Sequence, residues 1–171
     1  VTIITPIANN DERGHFLESY RIDLFKKNHL SNNFVQDNEV KSNKGVLRGL
    51  HYQLNKPQGK LVRAIYGTII DVAVDIRIGS PTFGKSEMIE LSDLNKKMLY
   101  VPEGFAHGYI VKSEWSIVVY KCTNYYNINS EFGIRWDDPE INVNWGISNP
   151  IISNKDKILP YLKMQKNLPK F

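Results

Sequence analysis

KLVRAIYGTIIDVAVDIRI, residues 60–78, constrains the fold more than any other stretch. It is rich in β-branched residues and alternates around Gly67, so it reads as two strands joined by a tight turn. The longest apolar run, GTIIDVAVDI, is broken by Asp71 and Asp75 and is too short to cross a bilayer. GKSEMIELS, KMLYVP, GYIVK and SIVVYKCTNYY add short strands separated by Gly, Pro, Asn and Ser. Helical periodicity is weak: RIDLFKKNHL reads as a short helix, and DKILPYLKM as holding a turn of helix. Many short strands with regular punctuation predict an antiparallel sandwich or barrel. With 171 residues, 42% of them apolar, the chain suits one domain around one sizeable core. No repeat or low-complexity segment divides it.

Charge and cysteine usage narrow the function. The net charge of +4 favours an anionic partner, such as a phosphorylated small molecule, an acidic membrane or nucleic acid. Lys and Arg are spread along the chain, with no basic block interleaved with aromatics, so nucleic acid is not expected. Cys122 is the single cysteine, which excludes an internal disulfide and a Cys-based zinc cluster and suits a reducing cytoplasm. The N-terminus, VTIITPIANNDERG, lacks the charged region and cleavage site of a signal peptide. It starts on Val1, so a few residues including the initiator Met are expected to precede it.

PEGFAHG, Pro102 to Gly108, follows one strand and precedes another with Pro-x-Gly-x-x-His spacing. This resembles the second motif of cupins, small double-stranded β-helix jelly rolls. In the place of the first cupin motif the chain reads His51-Tyr52-Gln53, without the second His of His-x-His. Of the four His (His15, His29, His51 and His107), only His51 and His107 fall in the presumed barrel, too few for a transition-metal site. No metal is therefore expected. His51 is then either a proton-transfer group or a packed side chain with satisfied nitrogens. Lys60 lies nine residues on, and the loop with Pro57 and Gly59 is expected to return the chain so that Lys60 lies beside His51 in a paired-strand stretch.

DERGHFLESY, FVQDN, KGVLRGLHYQ, QGKLVR, DVAVDIRIGSPTFG, LYVPEGFAHGY, VVYKCTNYY, WDDPEI and ISNKD follow one another in this order. Together they resemble the dTDP-4-dehydrorhamnose 3,5-epimerases, metal-independent enzymes of rhamnose biosynthesis. The resemblance runs from about Asp11 to Asp156. It implies an all-β, cupin-like jelly roll with a few short helices, in a single domain over residues 1–171. The N-terminal strands would be exchanged with a homodimer partner, and the segment of about 147–171 would pack outside the barrel. The implied substrate is a dTDP-linked 4-keto-6-deoxyhexose whose C3 and C5 protons are acidified by the C4 ketone. No cofactor is implied, and the chain has no GxGxxG loop, which agrees.

Site roles follow from the resemblance, position by position. His51 resembles the base, Asp156 the carboxylate that orients it, Lys60 the cation facing the C4 oxygen, and Tyr120 the acid on the opposite face. His107 is implied in the same pocket, contacting the sugar. Arg48 and Lys155 match diphosphate-binding cations. Gln36 and Asn38 match polar nucleotide contacts, and Tyr125 an aromatic that stacks on the base. Arg13, Phe16 and Glu18 match residues that reach the nucleotide from the neighbouring subunit. The chain departs from the family at Val40, where Ser is frequent, and at Asp137, where Asn is common; Lys56 adds a charge near the proposed catalytic pair. Relatives that epimerise only C3 or only C5, some on other nucleotides, share the His and Tyr. A single-centre epimerase is the alternative enzyme, and a cupin that only binds a nucleotide sugar the non-catalytic one.

Overall fold

The computed structural model describes residues 1–30 and 33–171. Its strands are β1 (Thr2–Ile4), β2 (Ala8–Asp11), β3 (Gly14–Leu17), β4 (Gln36–Asn43), β5 (Leu47–Gln53), β6 (Lys60–Tyr66), β7 (Thr68–Asp75), β8 (Ser86–Ser92), β9 (Met98–Val101), β10 (Phe105–Val111), β11 (Trp115–Cys122) and β12 (Glu131–Gly133). Two short helices, α1 (Ile22–Lys27) and α2 (Asn154–Lys157), flank them. One five-stranded sheet runs β1-β9-β6-β11-β4 and the other β12-β5-β10-β7-β8, while β2 and β3 form a separate hairpin. Pairing between these strands is antiparallel. From β4 to β12 the chain changes sheet at every connection except β7 to β8. That alternation builds a jelly roll, and it puts the inner face of each sheet opposite the other.

The strand spanning residues 68–75 shows why the sequence reads as it does. Ile69 and Ala73 face the other sheet, in a core with Val62, Leu99, Val101 and Val118. Val72 and Val74 point the other way, into a second cluster with Leu47, Leu50, Ile134, Trp145 and Leu162. A strand buried on both faces is apolar at successive positions, so the alternation there is muted. The second cluster exists because the chain after β12 covers the outside of that sheet. Val46 bridges Ile151 and Ile78 bridges Lys170, and the Arg77 guanidinium lies 4.7 Å from the ring centres of both Phe105 and Phe171. A third cluster, Phe25 of α1 with Leu61, Met98 and Tyr100, covers the other sheet.

Two expectations about local pairing are corrected. β6 and β7 meet at Gly67 as expected, but they lie in different sheets, so the turn is a corner and not a hairpin. Gly67 has φ +73°, and a Cβ there would sit 2.3 Å from the Trp115 carbonyl oxygen. Likewise His51 and Lys60 are not neighbours in a strand pair. β5 pairs with β10 and β12, and β6 with β9 and β11, so the loop between β5 and β6 carries Lys60 to the facing sheet. PEGFAHG is not wholly a connection either: Phe105 to Gly108 are already in β10.

β5 and β10 approach closely where their register slips, between His107 and Tyr109. Gly49 has φ +122°, and a Cβ on it would lie 2.6 Å from Gly108 Cα and 2.7 Å from the His107 carbonyl oxygen. Gly49→Ala should therefore destabilise the fold by about 3 kcal/mol, through backbone strain and a clash that no rotamer relieves. Gly79→Ala is the control: φ is +91° there, but nothing lies within 4 Å, so only the strain remains. Urea midpoints compare the two; an equal loss at both positions would contradict the close-approach argument.

Candidate active site

The slip between β5 and β10 leaves His51 and His107 directly opposite each other on the ladder. His51 Nε2 lies 2.7 Å from Asp156 Oδ1, across 105 residues of sequence. An ionised carboxylate only accepts, so Nε2 carries the proton and Nδ1 is the basic nitrogen. Asp156 sits in the first turn of α2, where its N–H donates to the Ser153 hydroxyl, and its second oxygen faces the Gly49 N–H at 3.5 Å. Its side chain is 4% exposed against 24% for His51, so the ring has one buried edge and one open edge.

Burial pushes the Asp156 carboxyl up. The bond to His51, the His51 charge and the donors from Gly49 and Ser153 outweigh it, and the group titrates below the usual carboxylate range. Asp156 therefore contributes stability that is fully present above its unfolded value of about 3.9 and is lost as pH falls through the lower folded value. The stability gap between the wild type and Asp156→Asn should shrink as pH falls below about 4. Thermal melts at stepped pH check this; a gap that widens below about pH 4 would contradict it.

Lys60, at the start of β6, faces this pair from the other sheet. Burial holds its ammonium below the usual lysine range, against the pull of Cys122, Glu131 and Asp71. Tyr120, in β11 beside it, is pushed up to about 12, first by burial and then by Cys122 and Tyr109. One cavity of about 480 Å³ is lined by His51, Asp156, Lys60, Tyr120, His107 and Arg48, among others. A smaller adjoining recess of about 310 Å³ shares His51, Lys60 and Tyr120 and adds Gln36, Asn38 and Glu131. Sequence reasoning that treated these residues one by one had no means of seeing this shared space, because they sit on six strands and a helix.

Other positions fall as follows. Arg48 donates from Nε to the Ser42 hydroxyl at 3.0 Å, at the cavity wall. Gln36 and Asn38 are linked at 3.0 Å, and Asn38 pairs in register with Tyr120. Lys155 lines the cavity but is bonded to Glu131, which also accepts from the Tyr126 hydroxyl at 2.6 Å. Tyr125 lies past the end of β11 and is 70% exposed, outside the cavity wall. Arg13, Phe16 and Glu18 stay with the β2–β3 hairpin and the segment after it. Arg13 pairs with Asp11, and Phe16 and Glu18 border a groove beside α1. Within one chain these three do not reach His51.

The structure adds residues that the sequence did not single out. Glu131 borders the recess, Ser153 caps the helix that carries Asp156, and Asp71 bonds His107 at 2.7 Å. Only Ser153 had a readable signal, as the first residue of an S-x-x-D capping pattern. Among the described residues, no group of three or more His, Cys, Asp or Glu is placed to hold a metal ion. No helix among them is long and apolar enough to cross a membrane.

A base held by a carboxylate, facing a buried ammonium and a phenol in one cavity, is equipment for moving protons next to a carbonyl. Comparison with known proteins agrees. The family profile for dTDP-4-dehydrorhamnose 3,5-epimerase matches residues 1–164. A Shigella flexneri protein named dTDP-4-dehydrorhamnose 3,5-epimerase is 51% identical over 158 residues, covering 91% of this chain and 87% of that one. The crystal structure of a Legionella pneumophila dTDP-6-deoxy-D-glucose-3,5-epimerase, in complex with dTDP-4-keto-L-rhamnose, superposes with a TM-score of 0.96 at 44% identity, covering 99% of this chain and 92% of that one. ChmJ, a 3'-monoepimerase from Streptomyces bikiniensis in complex with dTDP-quinovose, matches at TM-score 0.93 but 28% identity, covering 98% of this chain and 88% of that one. The backbone is thus common to enzymes of differing outcome, whereas half of the residues and nearly the whole length are shared with the first. This chain belongs to the dTDP-4-dehydrorhamnose 3,5-epimerase family.

Proposed function

We propose that this protein inverts C3 and C5 of dTDP-4-dehydro-6-deoxy-D-glucose, with the His51–Asp156 pair as base and Tyr120 as acid. One observation carries the assignment of roles: the base stands on one sheet, and the phenol and ammonium stand on the facing sheet, across a single cavity. A sugar lying between the sheets offers one face to each. His51 Nδ1 removes a proton next to the C4 ketone, and the Asp156 carboxylate stabilises the imidazolium that forms. Negative charge moves to the C4 oxygen, where the Lys60 ammonium meets it in a desolvated setting. Tyr120, protonated at neutral pH, returns a proton on the opposite face, and the centre inverts.

Arg48 and Lys155 take the diphosphate, with Lys155 exchanging its Glu131 contact for a phosphate oxygen. His107 contacts the sugar, Gln36 and Asn38 the nucleotide, and Tyr125 stacks on the base. Arg13, Phe16 and Glu18 act in a homodimer, reaching the partner's site from the exchanged N-terminal hairpin. The setting is the cytoplasm, with no role for nucleic acid or a membrane. Borohydride reduction of the product tests the outcome directly. Inversion at both centres yields rhamnose with 6-deoxytalose. Recovery of 6-deoxyallose and 6-deoxygulose would show inversion at C3 alone and overturn the two-centre reading.

A further inference from the structure

A second His–carboxylate pair lies behind the first. His107 Nε2 is 2.7 Å from Asp71 Oδ1, with side-chain exposures of 7% and 0%. Asp71 comes from β7, the next strand after β10, and its other oxygen has no hydrogen-bond partner among the described residues. A fully buried carboxylate with one hydrogen bond is costly to ionise unless cations lie near. The Lys60 ammonium is such a cation: it shares the cavity with His107, the ring that Asp71 holds.

The groups facing Lys60 can be sorted by element. β11 supplies Tyr120 and Cys122, β12 supplies Glu131, β5 supplies His51 and Arg48, β10 supplies His107 and Tyr109, β7 supplies Asp71, and α2 supplies Lys155 and Asp156. The Cys122 thiol is buried and pushed up, so it is neutral at working pH. Glu131 is already engaged by Lys155 and Tyr126. Asp156 is held by His51. Asp71 is the carboxylate whose second oxygen has no hydrogen-bond partner among the described residues.

We propose that Asp71 is a positioning residue for this site: it fixes the His107 ring through their bond and serves as the buried counter-charge of Lys60. The consequence for the reaction rests on the epimerase roles proposed above; the charge coupling to Lys60 does not. In water Lys60 would be charged without help. In this cavity, burial opposes the charge, and Asp71 restores it from the far side of His107, where it cannot touch the substrate or compete for the proton at C3 or C5. The arrangement keeps an anion close enough to hold the ammonium and far enough to leave it free for the C4 oxygen.

The test is a titration of Lys60 in full-length protein labelled with [ε-¹³C]lysine, its signal assigned by its loss in Lys60→Arg. Asp71→Asn should lower the Lys60 midpoint by about one pH unit or more. The alkaline limb of the kcat profile should move the same way, with KM little changed near neutrality. Because a substitution at a fully buried site can harm folding, His107→Gln is the second variant. It removes the ring but keeps the Asp71 charge, so it should leave the Lys60 midpoint nearly in place while raising KM. An unmoved midpoint in folded Asp71→Asn overturns the proposal, as does His107→Gln shifting it as far as Asp71→Asn. Since the titration needs no turnover, its failure is separable from a failure of the epimerase reading.

Discussion

Replacing His51 by Gln should lower kcat by about a thousandfold and leave KM within a few-fold of the wild type. The imidazole has a carboxylate behind it and, at 24% exposed, is more open to the cavity than the His107 ring at 7%. Gln places its amide nitrogen near the Nε2 position, where it can still donate to Asp156, so the buried carboxylate keeps a partner and the fold is spared the cost of an unpaired charge. What is lost is the proton acceptor. Steady-state kinetics with a thermal melt on the same preparation check both halves. Retained turnover would return His51 to a packing role, and a collapsed melt would show that Asp156 depends on the ring itself.

Lys60→Ala should reduce kcat by about 10²–10³-fold, the range seen when a single preorganised donor to a developing oxyanion is removed. The loss should fall on kcat and not KM, because the C4 oxygen carries full charge only after the proton leaves. Lys60→Arg should recover little: the guanidinium is larger, and its planar fork does not present a point charge to one oxygen. Because burial lowers Lys60, the wild-type rate should fall on the alkaline side below the pH at which an exposed lysine deprotonates. The sign follows from the role: Lys60 works as a cation, so activity is present below its folded value and lost as pH rises through it. A kcat profile flat to the ordinary lysine range, or an effect of Lys60→Ala on KM alone, would contradict the assignment.

Much of the barrel was legible because its strands are rich in β-branched and aromatic residues and are set off by Gly, Pro, Asn and Ser. β6, β8, β9 and β11 lie where the sequence put them, within two residues at their starts. β11 ends at Cys122, and TNYY, which reads as its continuation, is past the strand. β4 had no such signal, for a physical reason. Its inward positions are Gln36, Asn38, Val40 and Ser42, and the first two border the recess while Val40 lines the cavity. A strand that builds a polar site cannot also show an apolar face. The short β1–β3 segments and β12 carry three or four residues each, too few for periodicity to register.

The site was legible in its members and not in its arrangement. His51, Lys60, Tyr120 and Asp156 follow from motif resemblance, and they line one cavity. Their distribution over two sheets was not readable, because nothing local in HYQLNKPQGK says whether the chain turns back along its own sheet or crosses to the other. The Asp71–His107 pair was hidden for a related reason. Asp71 interrupts an apolar run, and only the register of β7 against β10 brings it behind His107.

The central claim is that base and acid act from opposite sheets on two carbons. Proton NMR of dTDP-4-dehydro-6-deoxy-D-glucose in deuterated water tests it most directly, comparing the wild type with Tyr120→Phe. The account predicts deuterium at both C3 and C5 with inversion in the wild type. In Tyr120→Phe, His51 still removes protons and returns deuterium on the same face, so exchange should outlast inversion. Inversion by Tyr120→Phe at the wild-type rate, or a wild type that exchanges neither centre, would contradict it.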